Sequence, residues 1–215
     1  MRRIIIFTLF LTGICATVSF AQVPKGFKPI FNGKNLAGWH VSRTTHQGTT
    51  PNFRVENGVI VVTQRPYGQG GVLLSDKKYK NFELYMEVKV DSFTNGGIFI
   101  RSSESGIAYQ VELDETSGTT GNLLGERLQI SKSAACENRA NVWKNNDWNS
   151  YRVRMVGEIP HLTLWINGVQ MWDVVQPKND FIAGVTEGTC LWTKQYGICK
   201  TTAILEKKRR RNSYR

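Results

Sequence analysis

The stretch His161-Leu162-Thr163-Leu164-Trp165-Ile166 runs into Asn167-Gly168 and returns as Val169-Gln170-Met171-Trp172. Asn-Gly supplies the two positive φ angles of a type I′ turn, so the sequence predicts a two-stranded hairpin here. Phe53-Arg54-Val55 and Val59-Ile60-Val61-Val62-Thr63 flank Asn57-Gly58 in the same way. Phe82 to Val90 alternates strictly: Phe82, Leu84, Met86, Val88 and Val90 share one face, and Glu83, Tyr85, Glu87 and Lys89 the other. That pattern is a strand with one apolar face. Further strands are predicted over Gly71–Ser75, Gly97–Arg101, Tyr109–Asp114 and Trp148–Val156. No long window keeps a helical period. Many short strands joined by Gly and Asn turns predict an all-β fold, a sandwich or jelly roll of antiparallel sheets.

The ends of the chain read differently from its middle. Arg2 and Arg3 precede an apolar run from Ile4 to Val18, and Ser19-Phe20-Ala21 places small residues before Gln22. This predicts a cleavable secretory signal over residues 1–21, with a periplasmic or secreted mature protein and no stable membrane insertion. The formal charge is +11, of which the two leading arginines supply +2 and Thr189–Arg215 +7, leaving only +2 between. A nearly neutral body has no broad phosphate-binding face, so no nucleic-acid partner is expected. The predicted mature chain keeps Cys136, Cys190 and Cys199, an odd number without zinc-ligand spacing.

Gln110, Glu112 and Asp114 stand at alternate positions and therefore share one face of one strand. Three polar groups in a row make either a solvated surface or a sugar-binding groove. Glu112 is the first choice for a general base, with Asp114 and Gln110 holding hydroxyls; Tyr109 points the other way, to the core. A divalent cation between Glu112 and Asp114 is the one cofactor option; otherwise neither cofactor nor metal is expected. Ser117 to Lys144 is rich in Gly, Ser, Thr and Asn and is the candidate groove rim, where Trp143 could stack on a sugar. Trp165 is expected in the core.

Several segments in order resemble the 3-keto-disaccharide hydrolase family. They are Gly26–Trp39, Phe82–Glu87, Asn95–Arg101, Ala108–Asp114, Trp148–Arg152 and Leu164–Gly168. The resemblance implies a concanavalin A-like jelly-roll sandwich over residues 22–188 and a glycoside or oligosaccharide substrate already oxidised at C3. The neighbouring ketone acidifies the hydrogen at C2, a base removes it, the aglycone leaves from C1, and water adds to the unsaturated sugar. This chemistry needs a base and a donor on the enolate oxygen. The resemblance adds Glu87, where the family carries an acidic residue, and Arg101 as the charged donor, and it ranks His40 and His46, near the family's early loop, above His161 as substrate-binding candidates. A non-catalytic lectin-like module is the alternative, since the same sandwich serves both. A retaining glucanase is disfavoured because Glu112-Leu113-Asp114-Glu115-Thr116-Ser117 lacks the final glutamate of that motif.

The resemblance ends at Thr186-Glu187-Gly188, before two strands with which the family closes. Residues 189–215 are read as an atypical basic tail. A shift of reading frame near Gly188 accounts for it, and reading the coding DNA in the other frames checks this. The rival reading is a genuine basic tail for an acidic partner. Loss of two strands would leave unpaired sheet edges.

Overall fold

The computed structural model describes residues 23–45, 47–48, 50–63, 70–180, 189–193 and 197–206, the last two segments as backbone only. The predicted signal, His46 and the closing run of lysines and arginines lie outside the described residues, as do the side chains of Cys190 and Cys199. The strands are β1 (Lys28–Pro29), β2 (Trp39–Val41), β3 (Asn52–Glu56), β4 (Val59–Thr63) and β5 (Val72–Ser75). Next come β6 (Phe82–Val90), β7 (Asn95–Ile100), β8 (Ala108–Asp114) and β9 (Leu123–Glu126). One short helix, α1 (Arg139–Val142), precedes β10 (Asn149–Val156), β11 (His161–Ile166) and β12 (Val169–Val175). The last two strands are β13 (Thr189–Thr193) and β14 (Gly197–Glu206). No helix among the described residues is long and apolar enough to cross a membrane.

Two antiparallel sheets make the sandwich. The 8-stranded sheet runs β12-β11-β10-β6-β14-β4-β3, with β1 paired to β14; the 6-stranded sheet runs β2-β5-β13-β7-β8-β9. Both Asn-Gly hairpins form as predicted. Asn57 and Gly58 have φ of 50° and 79°, and Asn167 and Gly168 have 50° and 82°, matching the primed turn that suits twisted strands. The alternating apolar positions meet between the sheets. Phe82, Leu84, Met86 and Val88 of β6 join Tyr151, Val153 and Met155 of β10 and Ile98, Ile100, Tyr109 and Val111 of the facing sheet in one buried core. Burial of each such side chain contributes about 1.5–3 kcal/mol, which is why the period of two fixes the register.

The structure corrects the expectation that two closing strands are missing. β13 pairs with both β5 and β7, and β14 pairs with both β4 and β6, so each occupies the interior of a sheet. The reason lies in the backbone: the strands on either side carry rows of N–H and C=O groups that need partners. The β-branched and aromatic residues of both segments suit an extended chain.

Trp165 also departs from expectation. Its neighbours Leu164 and Ile166 take the core side, so Trp165 faces outward and is half-buried beneath the Arg152 guanidinium, 4.7 Å from the ring centre. Arg152 in turn pairs with Glu83.

Candidate active site

In β8, Tyr109, Val111 and Leu113 enter the core, so Ala108, Gln110, Glu112 and Asp114 line the opposite, outer face of the 6-stranded sheet. The partner β7 lies alongside with Gly97 opposite Glu112 and Asn95 opposite Asp114. Glycine is required at 97. A β-carbon there would stand 2.5 Å from Gln110 Nε2 and 2.7 Å from its Cγ, so the buried Gln110 side chain lies across the bare backbone. Gln110 Nε2 donates to the Gly96 carbonyl at 3.1 Å, while its Oε1 is buried and receives no hydrogen bond.

Glu112 is half-buried. Burial raises its proton affinity above the ordinary carboxylate value; a hydrogen bond from Thr119 opposes this, and the Asp114 charge adds to it. Asp114 behaves oppositely. Burial pushes its pKa up, but hydrogen bonds from Thr116 and Ser117 outweigh that and hold it low. Its Oδ1 accepts from Thr116 N, Thr116 Oγ1 and Ser117 N, and its Oδ2 accepts from Asn95 Nδ2. Asp114 therefore organises the turn after β8. Both its oxygens are engaged by the protein, so it is not the free hydroxyl-holding group expected of it. The same engagement argues against a cation held between Glu112 and Asp114. Among the described residues no cluster of three or more His, Cys, Asp or Glu side chains is placed to hold a metal ion.

Glu87 lies elsewhere. Met86 and Val88 face the core from β6, which puts Glu87 on the outer face of the 8-stranded sheet, where Tyr85 donates to it. The sheets pack about 10 Å apart and both carboxylates point outward, so Glu87 and Glu112 cannot act on one substrate. Alternation places a residue on a face but does not say which sheet that face belongs to.

Arg101 is also corrected. It is 3% exposed at φ 51°, and its guanidinium donates to the Lys80 and Gly157 carbonyls, with a contact of 2.6 Å to Gly157. The left-handed turn of the backbone ends β7 and sends this side chain to fasten loops. Trp143 caps α1 and packs edge-on against Tyr151 at 6.1 Å, with Arg139 over its ring at 5.5 Å; it is part of the packing, not a platform for sugar.

His40 sits on edge strand β2, four strand spacings from β8, which is roughly 19 Å. Its Nδ1 meets Asp76 Oδ1 at 2.6 Å and its Nε2 meets Glu104 Oε2 at 3.0 Å. The hydrogen bond to Glu104 raises its pKa, burial opposes, and Asp76 adds to the rise. His40, Val41, Ser42 and Arg43 line a cavity of about 510 Å³, a volume within the range of small-ligand sites. Between His40 and Glu112 the outer face is covered. Val72, Leu74, Phe99 and Ala108 form a second buried apolar cluster, and a β-carbon at Gly106 would come within 3.4 Å of Phe99, Thr45 and Gln47. His161, the lowest-ranked histidine, pairs with Asp173 at 2.8 Å on the other sheet. Of the predicted residues, then, Gln110, Glu112 and Asp114 lie together, while Glu87, Arg101, Trp143 and His40 do not join them.

Sequence reasoning did not single out the turn of Thr116 and Ser117 that engages Asp114; the only signal was the place of Ser117 in the polar segment marked as a rim. It also missed Asp76 and Glu104, which lie 36 and 64 residues from His40 and carry no local signature.

Residues 26–197 match the family described as the 3-keto-alpha-glucoside-1,2-lyase-like domain. The chain belongs to this family. The lyase-like match continues past Gly188, where the resemblance was expected to stop. A 3-keto-disaccharide hydrolase of Bacteroides thetaiotaomicron is 36% identical over 85 residues, a match that covers 37% of this chain and 28% of that protein. A glycosyl hydrolase fold solved from Parabacteroides distasonis superposes with a TM-score of 0.63 at 18% identity, covering 85% of this lyase-like chain and 94% of that one. An endo-1,3-beta-glucanase from Streptomyces sioyaensis gives 0.55 at 10% identity, with 88% and 100% covered. The carbohydrate recognition domain of Emp46p gives 0.51 at 10%, with 82% and 98% covered. At such identities these likenesses show the fold, the sandwich of two antiparallel sheets expected from the sequence.

Proposed function

We propose that this lyase-like domain cleaves 3-keto-glycosides, with Glu112 as the general base, after export and removal of residues 1–21. One observation carries the assignment of the base: Glu112 is the half-buried carboxylate of raised proton affinity on the outer face of the 6-stranded sheet. A base tuned upward toward neutrality takes a carbon-bound proton more effectively than an exposed carboxylate. Glu112 removes the C2 proton, and the C–H electron pair moves toward C3 and its ketone oxygen as an enolate. The enolate collapses to form the C1–C2 double bond, and the C1–O bond breaks with its pair on the aglycone oxygen. Water then adds across the double bond. Gln110, whose Oε1 is buried and receives no hydrogen bond, stands on the same face two residues before Glu112 and serves the packing of the site against Gly97. Arg101 has no part in this scheme, because its guanidinium serves backbone carbonyls.

Glu112→Gln tests the assignment directly. On a chromogenic 3-keto-glucoside it is expected to lower kcat about 10²–10⁴-fold, with an unchanged melting temperature as the check on folding. Retention of a tenth or more of the activity removes Glu112 from the role. A second reading, glycan binding without turnover, is favoured by the fact that Glu112 alone of the three predicted catalytic residues lies on this face. It predicts binding with no product from the unmodified protein.

A further inference from the structure

The short edge strand β2 carries a polar cluster that the proposed reaction does not use. His40 stands between Asp76, in the turn after β5, and Glu104, in the loop after β7. Both supports are fastened. Asp76 N donates to the Gly38 carbonyl at 2.9 Å, and Ser75 Oγ donates to the Lys77 carbonyl at 2.9 Å, which fixes the turn. In the other loop, Ser103 N donates to the Ile107 carbonyl at 2.9 Å, and Ile107 N donates to Ser103 Oγ at 3.0 Å. The buried Ser42 donates its hydroxyl to the Glu104 carbonyl at 2.6 Å and accepts from Thr45 N at 3.0 Å. That bond ties the loop to the residue that follows β2.

The two contacts of His40 determine its protonation. Nδ1 meets Asp76 Oδ1 and Nε2 meets Glu104 Oε2, and an ionised carboxylate can only accept. Both ring nitrogens therefore carry protons, and the ring is an imidazolium held between two carboxylates. The second oxygen of Glu104 accepts from Arg43 N at 3.2 Å, so this one side chain reaches both His40 and Arg43. Those residues are the two ends of the stretch that lines the cavity of about 510 Å³. Arg43 is exposed, and among the described residues nothing pairs with its guanidinium.

The charges select the ligand. The imidazolium and the Arg43 guanidinium are matched by the carboxylates of Asp76 and Glu104, so the site carries no net charge. An anion would meet the carboxylates, and a cation the two positive groups. A metal ion finds no free ring nitrogen on His40, and no cluster among the described residues is placed to hold one. A neutral molecule rich in hydroxyls suits the site better. A hydroxyl both donates and accepts, and a planar guanidinium donates two parallel hydrogen bonds to adjacent oxygens.

We propose that the cavity lined by His40, Val41, Ser42 and Arg43 is a second carbohydrate site, which takes a neutral sugar unit of a glycan chain with the Arg43 guanidinium on neighbouring hydroxyls. It lies roughly 19 Å from β8. Nothing in it depends on oxidation at C3, so it holds glycan whether or not Glu112 is the base.

The test titrates the full chain, and in parallel Glu112→Gln, with neutral maltotetraose and with anionic tetragalacturonate. Proton NMR follows the His40 ring signals, assigned by their absence in His40→Gln, and calorimetry gives Kd. We expect maltotetraose to shift the His40 signals and to bind equally well to both proteins. Arg43→Ala should weaken binding about tenfold or more, with an unchanged melting temperature because the side chain is exposed. Arg43→Lys should restore only part of the affinity, since an ammonium lacks the planar fork. His40 signals that stay in place up to the solubility limit of maltotetraose overturn the proposal. So does a Kd that Arg43→Ala leaves unchanged, or tighter binding of tetragalacturonate than of maltotetraose. Failure of the base assignment looks different, since Glu112→Gln would then still turn over a chromogenic 3-keto-glucoside while the His40 signals shift as before.

Discussion

Gly97→Ala probes the contact on which the candidate site is built. The backbone at Gly97 does not lie in the left-handed region, so an alanine there meets no conformational penalty and its cost is steric. The added carbon would stand 2.5 Å from Gln110 Nε2, 2.7 Å from Cγ and 2.9 Å from Cδ. Turning the amide alone cannot relieve a contact that reaches Cγ, so the whole side chain must leave its position. Overpacking of this kind costs about 1–3 kcal/mol, and loss of the bond to the Gly96 carbonyl about 1 more. We expect about 2–4 kcal/mol of destabilisation, read as a fall of roughly 5–15 °C in melting temperature for a domain of this size. Urea unfolding of Gly97→Ala, Gln110→Ala and the double variant measures the coupling. Once Gln110 is truncated, Gly97→Ala should cost less than about 1 kcal/mol, because alanine is itself preferred to glycine in a strand. Costs that add within about 0.5 kcal/mol in the double variant would refute the argument that glycine is there to admit Gln110.

Two further perturbations follow from the geometry. Arg101→Lys keeps the charge but cannot bridge the Lys80 and Gly157 carbonyls with one planar fork, and should destabilise the fold by about 2–4 kcal/mol in urea unfolding; a change below about 0.5 kcal/mol would contradict the fastening role, since that is the scatter expected at an ordinary surface position. His40, raised above its ordinary 6.5 by Glu104 and Asp76, contributes stability that is complete below 6.5 and is lost as pH rises through its folded value. The melting temperature should accordingly decline across that window in the wild-type chain and lose this component in His40→Gln; parallel curves for the two would refute it.

What the sequence conveyed was local. The strict alternation of Phe82 to Val90 and the two Asn-Gly turns determine which residues are buried and where the chain reverses, because a period of two and a positive φ are properties of a few neighbouring residues. The face shared by Gln110, Glu112 and Asp114 followed from the same periodicity. Glu87 was misplaced because alternation is silent on which sheet a strand joins. Arg101 followed the strand pattern until one left-handed residue turned its side chain toward carbonyls of other loops, an event with no signature in an arginine. His40 depends on partners distant in sequence, Asp76 and Glu104, while Trp143 is set by nearby Arg139 and Tyr151, whose roles only the end of α1 and the start of β10 define. The closing strands were misjudged because an unfamiliar residue pattern does not stop a chain from extending into the open interior slots of both sheets, and the family match itself runs to residue 197.

The central claim is proton abstraction at C2 of a 3-keto sugar, and one comparison addresses it most directly. The full chain is given a chromogenic 3-keto-glucoside deuterated at C2 and, separately, the same glucoside unoxidised at C3. The account predicts release of the chromophore from the keto substrate alone, with the deuterium lost from the sugar product to water. Equal release from the unoxidised glucoside, retention of the C2 deuterium in the product, or glycan binding by a folded protein that releases nothing from either would contradict it.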